Sequence, residues 1–371
     1  MEKRTRVVKK TFVLLCVLAG TPAWAQKGAS PFDALAKTYA GAVKQINEVH
    51  ARQPGKALEP ELAKRMPAQA KGALEKLLKA KDAPELFEAL VACGESALDL
   101  DLMVDFQKIR GRLEKSSPEH AKKLGTALSR PRFLLRALGG LDAAYLEKFA
   151  EVFQAVLEAY DEVFGFAEWS KVPGKKLRVR IHLEEKIVKP PHFAPQFAYH
   201  SEIDFPVIDA TAFKSPTADG KFLFYGLCHE LGHVIAMWGN TRNEEDHHSW
   251  AHYTGVVIVE HLSENAKDKA FMKDLLDVRW RSLTEEKKNT SEKKPSLADA
   301  DGVLAMLIAL HEKVGPKAIG TAINFLDRQD KRLRVNRVRY YSFKELREAL
   351  LATLKSPQDK KAAAAIIPAG P

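Results

Sequence analysis

The spacing of apolar positions predicts a mostly helical chain with a short β-region near its middle. Helical periodicity and capping signals predict helices at about 32–51, 60–80, 83–92, 97–114 and 118–128. A stronger helical pattern runs from Leu146 to Val163, and Gly165 ends it. Between Lys176 and Leu183 apolar and polar residues alternate without exception, which is typical of a half-buried strand.

The second half of the chain continues with one more strand and a series of helices. The strand is predicted from Ser201 to Ile208, and Pro206 favours an edge position because proline has no N–H to donate. Helices are predicted at about 221–238, 244–262, 303–313 and 318–326, with a charged loop at 283–300. A capping box from Ser342 to Glu345 opens a last helix, and the alanine-rich tail behind it is predicted to fray.

The N-terminus has the pattern of an export signal. Five basic residues fall within the first ten, an apolar run from Phe12 to Gly20 follows, and Ala23-Trp24-Ala25 is a small-x-small cleavage site. The apolar run is too short to span a bilayer as a permanent anchor. We therefore expect residues 1–25 to be a cleaved signal peptide and the mature protein to be periplasmic or secreted, the alternative being a short N-terminal anchor.

Removing residues 1–25 lowers the net charge of the protein. The full chain carries +10, whereas the chain without residues 1–25 has 53 Lys+Arg and 47 Asp+Glu, a net charge of +6. Both signs are mixed along the chain and no basic stripe or nucleic-acid-binding motif is present, so a nucleic-acid partner is not expected. No later stretch is apolar enough for a stable membrane anchor. Cys93 and Cys228 remain, either as a disulfide or as buried free thiols.

The most informative motif is His229-Glu230-Leu231-Gly232-His233. Residues four apart share one face of a helix, so His229 and His233 can point at the same ion. Glu230 projects beside them, where it can act as the base for a water molecule that the metal activates. Without a metal, the same residues would be two ordinary histidines with a bystander carboxylate.

A catalytic zinc site normally takes three protein ligands and leaves one position open. Six of the 12 histidines lie between 229 and 261, and an acid-rich segment begins at Glu244, so the third ligand should come from this region. The candidates are His248, Asp246, Glu244, His247 and Glu260.

The order of these elements around HExxH resembles the zincin metallopeptidases, particularly the gluzincin-like ones, over about 141–330. Many such families carry a Glu-Gly-x-Ala-x-Tyr helix whose glutamate binds zinc, and this chain has His248-Ser249-Trp250-Ala251-His252-Tyr253. Aligning Ala251 and Tyr253 puts His248 in the ligand position. The resemblance thus implies Zn²⁺ bound by three histidines, a departure from the family pattern that zinc chemistry allows.

The resemblance also implies a fold and an activity. The expected fold is α+β and predominantly helical, with a signal peptide at 1–25, a helical region at 26–140, a zincin-like domain with a small sheet and an active-site helix at 141–265, and a helical region with a frayed tail at 266–371. The expected activity is zinc-dependent hydrolysis of a peptide or protein substrate, which would lie along the edge strand at 201–208.

Several roles around the site stay open at this level. Glu244 or His252 could orient a zinc ligand, and the candidates for stabilising an oxyanion are His200, Tyr225, His252, Tyr340 and Tyr341. Two other functions compete with hydrolysis: a zincin-fold pseudoenzyme or binding protein, and a helical envelope protein in which HExxH is accidental. No pattern indicates the oligomeric state.

Overall fold

A computed structural model describes residues 30–51, 66–165, 176–183, 192–196, 200–207, 218–235, 237–238, 245–265, 282–297, 299–329 and 340–367. Within these ranges the protein is predominantly helical, with thirteen α-helices and a small β-sheet, an α+β architecture. None of the described helices is both long and apolar enough to span a bilayer. The predicted export signal at 1–25 lies outside the described residues.

The N-terminal part is a group of helices that build a hydrophobic core of their own. The helices are α1 (Pro31–Ala51), α2 (Ala68–Lys79), α3 (Pro84–Asp99), α4 (Met103–Ser116) and α5 (Pro118–Leu124). Their buried side chains, among them Tyr39, Leu90 and Phe106, form what we call the N-terminal core. The predicted helices up to residue 114 are therefore confirmed in type, with shifts at their ends.

A five-stranded sheet follows, and it includes three strands that the sequence pattern did not predict. The strands are β1 (Thr126–Ser129), β2 (Phe133–Leu138), β3 (Leu177–Leu183), β4 (His192–Gln196) and β5 (His200–Val207), in the order β1-β2-β3-β5-β4. The three that were not predicted are β1, β2 and β4. The predicted helix at 118–128 ends at Leu124, and β1 and β2 occupy the residues beyond it. The three inner strands run parallel, while β1 and β4 are antiparallel to their neighbours.

The strand predicted at the sheet edge is an inner strand. β5 pairs with β3 on one side and with β4 on the other, so β4 is the edge. Pro206 pairs with His182 of β3, two residues beyond Asp204, where the β4 pairing ends. Proline is accommodated there because β4 does not extend that far along β5.

The sheet separates the N-terminal core from a second, larger core that we call the main core. In β2, Phe133 and Leu135 belong to the main core and Leu134 to the N-terminal core. From β3, Arg178 reaches the N-terminal helices and donates to the Leu98 carbonyl at 2.5 Å. The helices before the sheet therefore cover the face opposite the main core.

The main core is built from α6 (Ala143–Phe164), the sheet and the helices that follow. These are α7 (Ala218–Ile235), α8 (Glu245–Asn265), α9 (Leu283–Asn289), α10 (Ala300–Val314), α11 (Pro316–Gln329), α12 (Phe343–Thr353) and α13 (Pro357–Ile366). Two short strands, β6 (Met237–Trp238) and β7 (Tyr340–Tyr341), pair in parallel. α6 confirms its prediction and ends at Gly165, which has a left-handed conformation, and the Ser342 capping box opens α12.

Two segments predicted to lack regular structure are helical. Residues 283–289 form α9 because Ser282 and Glu285 make a reciprocal capping box. The tail forms α13 after the Ser356 cap, and Ala363 and Ile367 are fully buried in the main core in place of the predicted fraying. Burial of Ala363 and Ile367 holds the tail against the main core.

The two cysteines of the described residues are free thiols. Cys93 lies in the N-terminal core and Cys228 in the main core, so they do not pair. Burial raises the pKa of the Cys93 thiol to about 12, mainly by desolvating the thiolate.

Candidate metal centre

Three histidines converge between α7 and α8. One ligand nitrogen from each of His229, His233 and His248 lies within 4.8 Å of the others, close enough to bind one metal ion. The ring centroids are 4.9 Å apart for His229 and His233, 5.1 Å for His233 and His248, and 5.8 Å for His229 and His248. Nitrogen ligands of a tetrahedral zinc are about 3.4 Å apart, so small side-chain rotations would complete the site.

Hydrogen bonds to the backbone of α7 fix the position of this helix along its own axis in the main core. The Tyr160 hydroxyl of α6 donates to the Cys228 carbonyl at 2.7 Å. The Trp250 indole of α8 donates to the Gly232 carbonyl at 3.0 Å. Because both donors are fully buried, each carbonyl receives its bond where water cannot compete. The register between α7 and α8 is thereby set within the motif itself.

Small residues allow α7 and α8 to approach closely enough for the histidines to meet. A Cβ atom added at Gly232 would lie 2.3 Å from Thr254 Oγ1 and 3.0 Å from the Ala251 Cα. A Cβ atom added at Gly255 would lie 3.2 Å from the backbone nitrogen of His229. Glycine at both positions therefore brings the backbone of α8 against that of α7, and His248 reaches the motif.

We expect the Gly232→Ala variant to be destabilised by about 1–3 kcal/mol, because its methyl group overlaps Thr254 and the α8 backbone. Gly72→Ala is the control, since a Cβ atom at that helical position of α2 meets nothing within 4 Å. Both variants gain the same helix propensity of about 1 kcal/mol, so their difference isolates the steric cost. Urea denaturation of the two metal-free variants measures this, and equal stability would contradict the close-packing argument.

The histidine cluster runs from the interior to the surface. His233 is 6 % exposed, His229 is intermediate and His248 is exposed. Burial, together with charge repulsion from His248 and His252, lowers the pKa of His229 to about 3. His229 is therefore neutral at physiological pH, and neutral imidazole is the form that binds metals. Three imidazoles, one of them held neutral by burial, suit Zn²⁺ and other borderline transition metals.

Glu230 lies next to His229 on α7 and is only 8 % exposed. A buried carboxylate on the motif helix interacts more strongly with a nearby cation, because the dielectric of the interior is low. Its part in catalysis remains a prediction.

The other candidates for the third ligand have different positions. The Glu260 carboxylate accepts the backbone N–H of Leu283 at 3.1 Å, which fixes it at the start of α9 rather than in the cluster. Glu244 lies outside the described residues, as do the side chains of Asp246 and His247. Among the side chains that the structure describes, His248 is the one that joins the two motif histidines.

A series of polar side chains extends from His229 Nδ1, and the sequence predicted only part of it. Tyr225 Oη lies 3.3 Å from His229 Nδ1 and also hydrogen-bonds His252 Nδ1, while His252 Nε2 lies 3.2 Å from Glu286. From the sequence, His252 was named as a residue that could orient a zinc ligand, Tyr225 was named only as an oxyanion candidate, and Glu286 was assigned to a loop. The capping box at 282–285 is the sequence signal that could have placed Glu286 on a helix, whereas the 5 % exposure of Glu286 could not be inferred from a charged segment.

The remaining oxyanion candidates stay untested. His200 begins β5, and Tyr340 and Tyr341 form β7 beside β6, but their side chains lie outside the described set.

Fold and site together define a helical α+β protein with a three-histidine cluster able to bind a metal ion. No protein-family model, curated protein or solved structure matches the chain. The site must therefore be interpreted from its own residues.

Proposed function

We propose that the protein is an exported zinc-dependent metallohydrolase, most simply a zincin-like peptidase. The observation that carries the proposal is the convergence of His248 with both histidines of an HExxH helix. A random HExxH motif would not be expected to find a third histidine at ligand distance from a separate helix. Three imidazole donors and a buried glutamate match the composition of a hydrolytic zinc centre.

The histidines and Glu230 would have separate roles in hydrolysis. His229, His233 and His248 would hold a zinc ion, which when bound supplies Lewis acidity to a water molecule and a substrate carbonyl. A carboxylate oxygen of Glu230 would accept a proton from the attacking water and return it to the leaving amine nitrogen. Since His248 is exposed, the cluster is open to solvent on the α8 side, where substrate can enter.

The sheet edge offers a place for an extended peptide. α7 contacts both β4 and β5, and β4 is the edge strand on this side of the sheet. In the zincins the substrate backbone lies antiparallel to such an edge, so the resemblance now assigns that role to residues 192–196 rather than 201–208. Pro195 within β4 removes one backbone donor, as is common on edge strands.

Native mass spectrometry of the protein recovered from outside the cytoplasm tests the proposal in one measurement. We expect a chain that begins at Gln26 and carries one zinc ion per molecule, because the signal ends at Ala25 and the cluster offers one site. Absence of the protein outside the cytoplasm would contradict export, a chain that retains Met1 would contradict the cleaved signal and favour the N-terminal anchor, and a chain without stoichiometric metal would contradict the metallohydrolase. The two results are independent, since one concerns the mass of the polypeptide and the other the mass of the ion.

A further inference from the structure

A continuous path of polar contacts, two hydrogen bonds and one ion-pair contact, connects His229 to a buried carboxylate on a helix more than fifty residues further along the chain. It runs from His229 Nδ1 to the Tyr225 hydroxyl, from there to His252 Nδ1, and from His252 Nε2 to Glu286. We call these three outer residues, Tyr225, His252 and Glu286, the relay. They come from α7, α8 and α9 respectively.

The relay has one consistent direction for its hydrogens when His229 binds a metal. Because Nδ1 of His229 faces Tyr225, the atom left for a metal is Nε2, and Nδ1 then carries the proton. His229 Nδ1–H donates to Tyr225, the Tyr225 hydroxyl donates to His252 Nδ1, and His252 Nε2–H lies against the Glu286 carboxylate, 3.2 Å away. Every polar hydrogen along the path has an acceptor, and the path ends on an anion.

We propose that the relay of Tyr225, His252 and Glu286 positions His229 for metal binding by fixing the tautomer and orientation of its ring. The proposal rests on the proposed function, because it concerns a ligand of the same metal. An outer hydrogen bond to the non-ligating nitrogen of a histidine makes that ligand more basic and typically contributes 10–100-fold to metal affinity. Here the carboxylate acts through two intervening side chains instead of directly.

The position of Glu286 is itself fixed on both sides. α9 begins with the Ser282 capping box, and Glu260 of α8 accepts the backbone N–H of Leu283 at 3.1 Å. Thr290 closes the other end by donating to the Glu286 carbonyl at 2.8 Å. With a side chain that is 7 % exposed, Glu286 is held against α8 rather than in solvent. α9 is therefore anchored to the helix that supplies both His248 and His252.

The first test compares Tyr225→Phe with Tyr253→Phe. Each change removes one hydroxyl that lies beside a histidine nitrogen, but Tyr253 pairs with His311 at 3.0 Å, outside the relay. We expect Tyr225→Phe to raise the zinc dissociation constant about 10–100-fold, measured by competition with a chromophoric chelator, and Tyr253→Phe to leave it unchanged. Equal dissociation constants for the two variants would overturn the proposal.

The second test changes the far end of the relay. Glu286→Gln keeps an oxygen acceptor for His252, whereas Glu286→Ala removes it, so the alanine variant should bind zinc more weakly than the glutamine variant. The visible spectrum of the Co²⁺-substituted protein should change in the same order, because it reports ligand geometry rather than global stability. If both variants bind zinc like the wild type, the relay has no positioning role, whatever their thermal stability.

The zinc-binding measurements distinguish failure of the relay proposal from failure of the proposed function. A wild-type protein that binds no zinc contradicts both. A wild-type protein that binds zinc, together with a Tyr225→Phe variant of unchanged affinity, contradicts the relay alone.

Discussion

The Glu230→Gln variant is expected to lose peptide hydrolysis by about 10²–10⁴-fold in kcat while it retains one zinc ion. Glutamine has nearly the same shape as glutamate and keeps an oxygen acceptor, but it cannot take the proton from the attacking water. The ligand nitrogens belong to His229, His233 and His248, so metal binding should survive. Hydrolysis of a broad peptide library and zinc content are measured on the same samples.

Glu264→Gln is the matched control, because Glu264 is exposed on α8 and lies outside the histidine cluster. It should hydrolyse peptides at the wild-type rate. Two results would change the interpretation of the site. Loss of zinc from the Glu230→Gln variant would mean that Glu230 is itself a ligand. A wild type and a Glu230→Gln variant that bind zinc and are equally inert would favour a zincin-fold pseudoenzyme or binding protein.

His248→Ala is expected to weaken zinc binding far beyond the roughly 100-fold limit typical of outer-sphere changes, because one of three ligands is removed. His252→Ala should cost less, since His252 reaches the metal only through Tyr225 and His229. The third member of the series is His261→Ala, a histidine of the same helix that pairs with Glu162 at 2.9 Å and should leave zinc binding unchanged. Chelator competition gives all three dissociation constants.

The order of these effects is the critical result. A larger loss in the His252 variant than in the His248 variant would show that the third ligand has been assigned to the wrong histidine. Because His248 is exposed, its replacement should leave the metal-free stability nearly unchanged, so weaker binding cannot be attributed to unfolding.

The strands show where a local pattern succeeds and where it fails. β3 alternates because Leu177 and Val179 enter the main core while Arg178 reaches polar partners near α3, and the sequence therefore predicted it. β2 begins Phe133-Leu134-Leu135 and has no such alternation, since a hydrophobic core covers each face of the sheet there. Its apolar run could not be told from a buried helix, and β2 was missed.

The metal centre likewise has a part that local sequence patterns predict and a part that depends on tertiary packing. His229 and His233 could be paired from the sequence because residues four apart on one helix are neighbours whatever the rest of the fold does. His248 was chosen by resemblance, and its meeting with the motif depends on the close approach of α8 at Gly232 and Gly255. Glu286 was assigned to a loop because a charged segment usually faces solvent, whereas packing of α9 against α8 buries it.

Local signals thus predicted the amphipathic helices, the alternating strand β3, the HExxH pair and the Ser342 cap. Packing between elements established which strand is the edge, which helices meet at the cluster, and which carboxylate lies at the far end of the path from His229. Periodicity and capping can be interpreted from the sequence because they depend on neighbours within one or two turns. Contacts between α7, α8 and α9 depend instead on shape and burial between segments that are distant in the chain.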